Sequence, residues 1–265
     1  MIVFPFGSGS SGNSYLVSHQ NTHILLDAGI SARRITQGLA QVHLTPSDLS
    51  GIFITHAHID HISGLEVITR KCPIPLYASQ DTLHQLVSKF PSLRPLCFAL
   101  EQPITLSHLE ITPCPTPHDC SGSLGFAVVG GSAKMSLFTD LGYVTNQIWR
   151  TVEGSHLIVA ETNYDPELLK HGPYPSSLKK RVSSDHGHLS NQAGGELIAN
   201  AVNAGVTTAI LAHLSKENNT PTLALEAVKQ SLDQANLQLP TLVVAGEKIS
   251  PHSYTVETGK VATYA

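Results

Sequence analysis

The sequence predicts an α/β fold with helices laid outside two packed sheets, and three observations carry that prediction. Short runs rich in Val, Ile, Leu and Phe recur along the 265 residues, several ending in polar residues. Most are continuously apolar rather than alternating, as in strands covered on both faces. Between them lie segments whose apolar residues repeat at helical spacing. No Ser-, Gly- or Pro-rich linker divides the chain, so one layered domain over residues 1–265 is expected.

The elements follow in order. The stretch "GSGSSGNS" (7–14) lacks the lysine of a P-loop and the glycine spacing of a dinucleotide fingerprint, so it reads as a turn between two strands. Strands are expected at residues 23–29, 51–58, 74–79, 124–130, 134–142, 155–163, 207–215 and 241–247, hairpin-like early and alternating with helices later. Ile35, Leu39 and Val42 share a helical face, as do Leu83, Leu86, Val87 and Phe90. Ala193, Leu197, Ile198, Ala201 and Val202 form a third stripe, closed by Gly205 where a left-handed residue is wanted. Thr220-Pro221 reads as the cap and first residue of a helix carrying Leu225, Val228 and Leu232. Residues 171–191 have no clear periodicity and read as a long functional loop.

Composition narrows the functional classes. Apolar residues make up 41% and charged residues 14%, enough for a substantial core. The formal charge of −4 argues against wholesale electrostatic attraction to nucleic acid, though a local basic patch is compatible with it. No apolar run approaches a bilayer-spanning length, and the N-terminus lacks a signal peptide's cationic start, so no membrane association is expected. Cys72, Cys97, Cys114 and Cys120 show no CxxC spacing, which fits free thiols in a cytoplasmic setting. Cys114 and Cys120 read as small filler residues rather than ligands.

The unusual count is 15 histidines, and "THAHIDH" (55–61) concentrates them directly after an apolar strand. His56 and His58, two apart on an extended backbone, project to one side. Asp60 and His61, adjacent in a turn, point differently. One metal ion could take the first pair and a second ion the next, unlike a helical HExxH site. Further donors lie at comparable positions: His118 after "TPCPTP", Asp140 after "MSLFT" and His213 after "TTAILA". Polar residues at the ends of buried strands are where α/β sheets build their sites.

With these motifs in place, the chain resembles the metallo-β-lactamase superfamily of hydrolases along nearly its whole length. Asp27 in "ILLDAG" looks like the first motif and "HAHIDH" the second, with His118, Asp140 and His213 as the third to fifth. The resemblance implies a four-layer αββα sandwich with two divalent ions at one edge. It implies that His56, His58 and His118 hold one ion, Asp60, His61 and His213 the other, and Asp140 bridges them. Asp27 would orient a ligand by hydrogen bonding. Two ions about 3.5–4 Å apart can share a hydroxide formed near neutral pH, which would be the nucleophile. Imidazole and carboxylate donors suit zinc and also manganese or iron. The formal charge of such a site, roughly +1, favours an anionic substrate.

Three features narrow the reaction. A complete second ion site ending in His61 points away from antibiotic hydrolysis and toward phosphodiesters or thioesters. "VAETN" and "DHGHLSN" resemble a glutamate–histidine pair in tRNA-processing relatives, which implies Glu161 orienting His188 as proton donor to the leaving oxygen, with His186 as a competitor. The basic run Lys179, Lys180, Arg181 shares that segment and could hold flanking phosphates.

Longer strings, "GSGSSGNSYLV", "THAHIDHISGL", "TDLGYVT", "ETNYDPELLKHGPYPSSLKKRVSSDHGHLSN" and "LAHLSKENNTP", resemble the YycJ/WalJ-like branch. That branch implies 5′-to-3′ exonuclease activity on DNA, preferred over RNA, and a link to DNA repair. The fourth motif departs from relatives in reading "TDLG", without a threonine after the aspartate, and the large insertion of the β-CASP enzymes is missing. The alternative expectation is a small-molecule metallo-hydrolase, a cyclic phosphodiesterase or thioesterase. It draws on the negative charge and the low aromatic content of 6%.

Overall fold

The structure, a computed structural model, describes residues 1–257 and 260–264. An antiparallel meander opens the chain: β1 (Ile2–Gly7), β2 (Ser14–His19) and β3 (Thr22–Leu26). After α1 (Ala32–Gln41), β4 (Leu49–Phe53) runs parallel to β3. Then α2 (Ile59–Ile62), α3 (Leu65–Lys71), β5 (Leu76–Ala78), α4 (Gln80–Lys89) and β6 (Cys97–Ala99) extend the parallel half. A second antiparallel run holds β7 (Ile104–Leu106), β8 (Leu109–Pro115), β9 (Leu124–Gly130) and β10 (Ala133–Phe138).

Helices and parallel strands then alternate: α5 (Asn146–Val152), β11 (Leu157–Glu161), α6 (Pro166–His171), α7 (Ser176–Val182), α8 (Asn191–Asn203), β12 (Thr208–Ala212), α9 (Pro221–Gln234) and β13 (Thr241–Val244). β14 (Ser253–Glu257) and β15 (Lys260–Tyr264) return to the first sheet. Its order is β15-β14-β1-β2-β3-β4-β5-β6, and the second sheet runs β13-β12-β11-β10-β9-β8-β7.

Continuous apolarity in the strands has a direct reading here, because successive side chains of one strand feed different cores. Tyr15, Val17, Ile24 and Leu26 meet Val128, Met135, Leu157 and Val159 between the sheets. The intervening Leu16 and Leu25 pack under Ile35, Leu39, Leu65 and Leu86 of the first helical layer. Ile158, Ala160, Ala209 and Leu211 pack under Ile148, Leu197, Val228 and Leu232 of the second. The layers are therefore α, β, β, α. Each such Leu or Phe, once fully buried, contributes about 1.5–3 kcal/mol.

The helix signals hold at the caps. Thr220 accepts a hydrogen bond from the Leu223 amide ahead of Pro221, and Gly205, with φ of +108°, follows α8. The expected strands overlap observed ones but run too long at their C-terminal ends: β4 stops at Phe53, β10 at Phe138 and β12 at Ala212. Among the surplus residues are the polar ones that leave the sheet.

Residues 171–191 need a correction, since α7 lies inside the expected loop. Its pair Leu178 and Val182 packs against Tyr164 and Leu169, a contact too short to register as periodicity. Among the described residues no helix is long and apolar enough to cross a membrane, and all four cysteines are free.

Candidate metal centre

One edge of the sandwich collects the chemistry. Asp27 follows β3, residues 55–61 follow β4, His118 follows β8, Asp140 follows β10, Glu161 ends β11 and His213 follows β12. Asp27, Asp140 and His213 sit in the left-handed region, with φ of +61°, +59° and +56°. That conformation costs a non-glycine residue roughly 1–2 kcal/mol, and it turns the chain sharply out of each strand.

Two trios of donors result. His58 Nδ1 lies 3.0 Å from His56 Nε2 and 3.4 Å from His118 Nε2. Asp60 Oδ2 lies 3.5 Å from His61 Nε2 and 3.4 Å from His213 Nε2. Asp140 stands between them, with Oδ2 3.3 Å from His61 Nε2 and Oδ1 3.9 Å from His118 Nε2. In each trio the donor atoms lie within 4.8 Å of one another, as they do in a third grouping of His56, His61 and Asp140.

This arrangement suits metal ions. A tetrahedral ion with bonds of about 2.0–2.1 Å to nitrogen sets its donors about 3.3 Å apart, close to the separations seen. Asp140 Oδ2 is buried and, although near His61, makes no hydrogen bond. An orphaned carboxylate oxygen at such depth calls for a cation.

The rings are held from behind. Asp27 Oδ2 accepts from His61 Nδ1 at 2.7 Å, and the same carboxylate takes the Thr55 amide and hydroxyl at 2.8 and 2.9 Å. Because the Thr55 proton is spent there, its oxygen accepts from His56 Nδ1 at 3.0 Å. His118 Nδ1 donates to the Gly187 carbonyl at 3.1 Å and His213 Nδ1 to Glu161 Oε1 at 2.8 Å. Each bond fixes a tautomer and leaves Nε2 for the cleft; His58 alone offers Nδ1.

The loop itself is tied down by backbone. The Asn13 amide donates to Asp60 O at 2.8 Å, Ala28 to His61 O at 2.9 Å and Lys89 Nζ to Ala57 O at 2.6 Å. Gly29 is packed so tightly there that a Cβ would fall 1.6 Å from the Asp60 carbonyl oxygen.

Charge follows from the same contacts. Burial and the neighbouring imidazoles hold His56 well below its ordinary pKa, so its lone pair is free. Burial would do the same to His61, but Asp27 and Asp140 outweigh it and raise its proton affinity well above the usual value. Burial opposes ionisation of Glu161, yet His188 and His213 hold its carboxyl at about 2.

His188 stands beside this strip. Its Nδ1 donates to Glu161 Oε1 at 2.8 Å, and its side chain keeps 20% exposure. Asp140, Glu161, His188 and His213 also have donor atoms near enough to share an ion. Glu161, however, is fully occupied by both Nδ1–H groups and by the Leu189 amide at 3.0 Å. His186 is exposed and does not line the cavity.

The cavity over the centre has a volume of about 330 Å³ and is lined by His58, Asp60, Asp140, His188 and His213, among others. Of the basic run only Arg181 reaches it: Lys179 Nζ donates to the Lys170 carbonyl at 2.7 Å, and Lys180 is exposed. Two participants escape the sequence reading. Asp119 lies 3.3 Å from His118 Nε2 and pairs with Arg181. Asn13 is fully buried, with Nδ2 3.1 Å from His61 Nε2. Asp119's place next to His118 was a usable signal; a buried asparagine in a Ser/Gly turn offers none.

Comparison with known proteins identifies the family. The family described as the β-lactamase superfamily domain matches residues 22–214. The chain is 34% identical over 230 residues to exodeoxyribonuclease YycJ of Bacillus anthracis, spanning 86% of this chain and 87% of that one. It is 35% identical over 235 residues to exodeoxyribonuclease WalJ of Streptococcus pneumoniae, spanning 87% of each. Among solved structures, the metallo-β-lactamase fold protein YhfI from Bacillus subtilis superposes with a TM-score of 0.71 over 99% of both chains, at 16% identity. In this fold the clustered His, Asp and Glu donors support divalent-metal binding. The chain belongs to the metallo-β-lactamase superfamily and, within it, to the YycJ/WalJ-like proteins.

Proposed function

We propose that the protein, one domain over residues 1–265, is a two-metal phosphodiester hydrolase of the cytoplasm, a 5′-to-3′ DNA exonuclease serving DNA repair. The observation that carries this reading is that His188, held by the buried Glu161 at 2.8 Å, lines one cavity with the donors His58, Asp60, Asp140 and His213. The names of the two relatives at 34% and 35% identity support DNA over RNA as substrate.

His56, His58 and His118 would hold one ion, Asp60, His61 and His213 the other, with Asp140 between and Asp27 orienting His61. Zinc or manganese, or iron, would polarise the phosphoryl oxygens and activate water near neutral pH. The rest falls to the chain. Glu161 holds the His188 ring by Nδ1. Burial disfavours the ring's charge, but Glu161 and Asp140 outweigh burial and raise its proton affinity, so the imidazolium carries on Nε2 the proton that the leaving sugar oxygen needs. Asp60 joins that chemistry as a ligand beside the reacting phosphate. Arg181 contacts a flanking phosphate, while Lys179 and Lys180 add attraction at longer range.

A second reading, a cyclic phosphodiesterase or thioesterase, draws on the cavity of about 330 Å³, ample for a small ligand. One experiment separates them: metal analysis of purified protein, with cleavage of end-labelled single- and double-stranded DNA and RNA across a salt series. Two equivalents of metal, DNA cleavage from the 5′ end and steep salt dependence are expected. Intact polynucleotides beside rapid hydrolysis of small esters would favour the second reading.

A further inference from the structure

The α7 side of the cavity differs from the rest. Elsewhere Ser10, Asn163, Ser215 and the exposed Ile59 accompany the candidate ligands, whereas this wall groups Tyr174, Leu178 and Val182, with Arg181 beside them. Tyr174 and Leu178 are only partly buried and pack from behind on Tyr164 and Leu169, so they are braced yet accessible. Arg181 spends its Nε on Asp119, and the two terminal nitrogens of its guanidinium make no bond among the described residues. Asp119 in turn sits 3.3 Å from His118 Nε2, which anchors the guanidinium to the first donor trio. The His188 amide donates to the Val182 carbonyl at 2.9 Å, so the wall and the imidazole form one piece.

We propose that this wall is the subsite for the departing 5′-terminal nucleotide, its base against Tyr174 and Leu178 and its 5′-phosphate on the free end of Arg181. The inference rests on the nuclease reading above and deepens it. The atom that takes the proton belongs to the departing group, so that group lies against the wall carrying His188. A nucleoside brings a flat, largely apolar face, which matches the adjoining Tyr174 and Leu178 better than it matches Ser10, Asn163 and Ser215. The guanidinium's free edge suits a terminal phosphate dianion.

The step balances. Water's oxygen bonds to phosphorus, the P–O3′ bond breaks with its electron pair on O3′, and O3′ takes the His188 proton. A proton released from the water restores the imidazole. A mononucleotide with a free 3′-hydroxyl departs, and the shortened strand carries a new 5′-phosphate. That group is what Arg181 reads, so each round prepares the next.

The test uses the metal-loaded protein turning over bis(p-nitrophenyl) phosphate, with deoxyadenosine 5′-monophosphate and 2-deoxyribose 5-phosphate as competing inhibitors. The nucleotide should inhibit about tenfold better than the sugar phosphate, and Tyr174→Ala should erase that advantage. Arg181→Gln should weaken both inhibitors about tenfold, with Arg181→Lys between. It should also bring the kcat/KM ratio for 5′-phosphorylated over 5′-hydroxyl oligonucleotide toward one. Equal inhibition by the two compounds in the unaltered protein, a comparison that needs no variant, would overturn the subsite. So would variants whose inhibition and ratio match the parent's. Loss of the nuclease reading has a different signature: nucleotide inhibition that follows the pattern above while DNA stays uncut.

Discussion

Glu161 Oε1 accepts from His188 Nδ1 at 2.8 Å, and at the same distance from His213 Nδ1. One buried oxygen therefore orients both the candidate proton donor and a candidate metal ligand.

Sharing that oxygen makes two variants separable. His188→Ala should keep its metal and lose about 10²–10⁴-fold on substrates with poor leaving groups, while activated aryl esters are largely spared. Glu161→Gln should show the same leaving-group defect together with weaker metal retention, because His213 loses its support. Rates on paired substrates, with metal content measured in parallel, decide this. Equal losses by His188→Ala on both substrate types would count against the proton-donor role.

His58 presents Nδ1 within 3.0 and 3.4 Å of two other ring nitrogens. His58→Ala should lower bound metal from two equivalents to one and abolish turnover. Elemental analysis after dialysis checks it, and two retained equivalents would refute the assignment.

Asp27 touches no substrate, yet it takes three hydrogen bonds from Thr55 and His61. Asp27→Asn leaves an amide donor facing one of these donors. Metal affinity should fall about 10–100-fold, with a lower thermal midpoint even in the metal-free protein. Chelator competition and thermal melts measure the two effects separately.

Gly29→Ala places a methyl group where the Asp60 carbonyl oxygen already lies, 1.6 Å from the new Cβ. The backbone of the Asp60–His61 turn must move. Destabilisation of about 3 kcal/mol or more is expected, seen as a lowered denaturant midpoint. Surviving folded protein should bind metal poorly.

Much of this was legible because the relevant signals are local. "HAHIDH" after "GIFI" marks a loop of donors on a buried strand, and Tyr15/Leu16/Val17 or Ile158/Val159 show strands with two covered faces. The layered fold expected from those runs is the one observed. Strand ends were misjudged where the last apolar residue and the first donor are neighbours, as at Phe138 and Asp140. What stayed hidden depends on residues far apart in sequence. Asn13 meets His61 across 48 positions, and Arg181 meets Asp119 across 62. Periodicity carries no trace of such pairings, nor of a helix as short as α7, held by one Leu/Val pair.

The three left-handed corners at Asp27, Asp140 and His213 bear on how this centre tolerates sequence change. Apart from glycine, that backbone geometry is best accepted by Asn, Asp and His. Two of those three are also metal-binding chemistries, so at Asp140 and His213 conformational preference and ligand identity select the same short alphabet, while Asp27 must keep an acceptor for Thr55 and His61. A random replacement there is penalised twice, once by steric exclusion and once by a missing donor. Asp and His meet both demands at Asp140 and His213, a narrower set than either demand would leave alone.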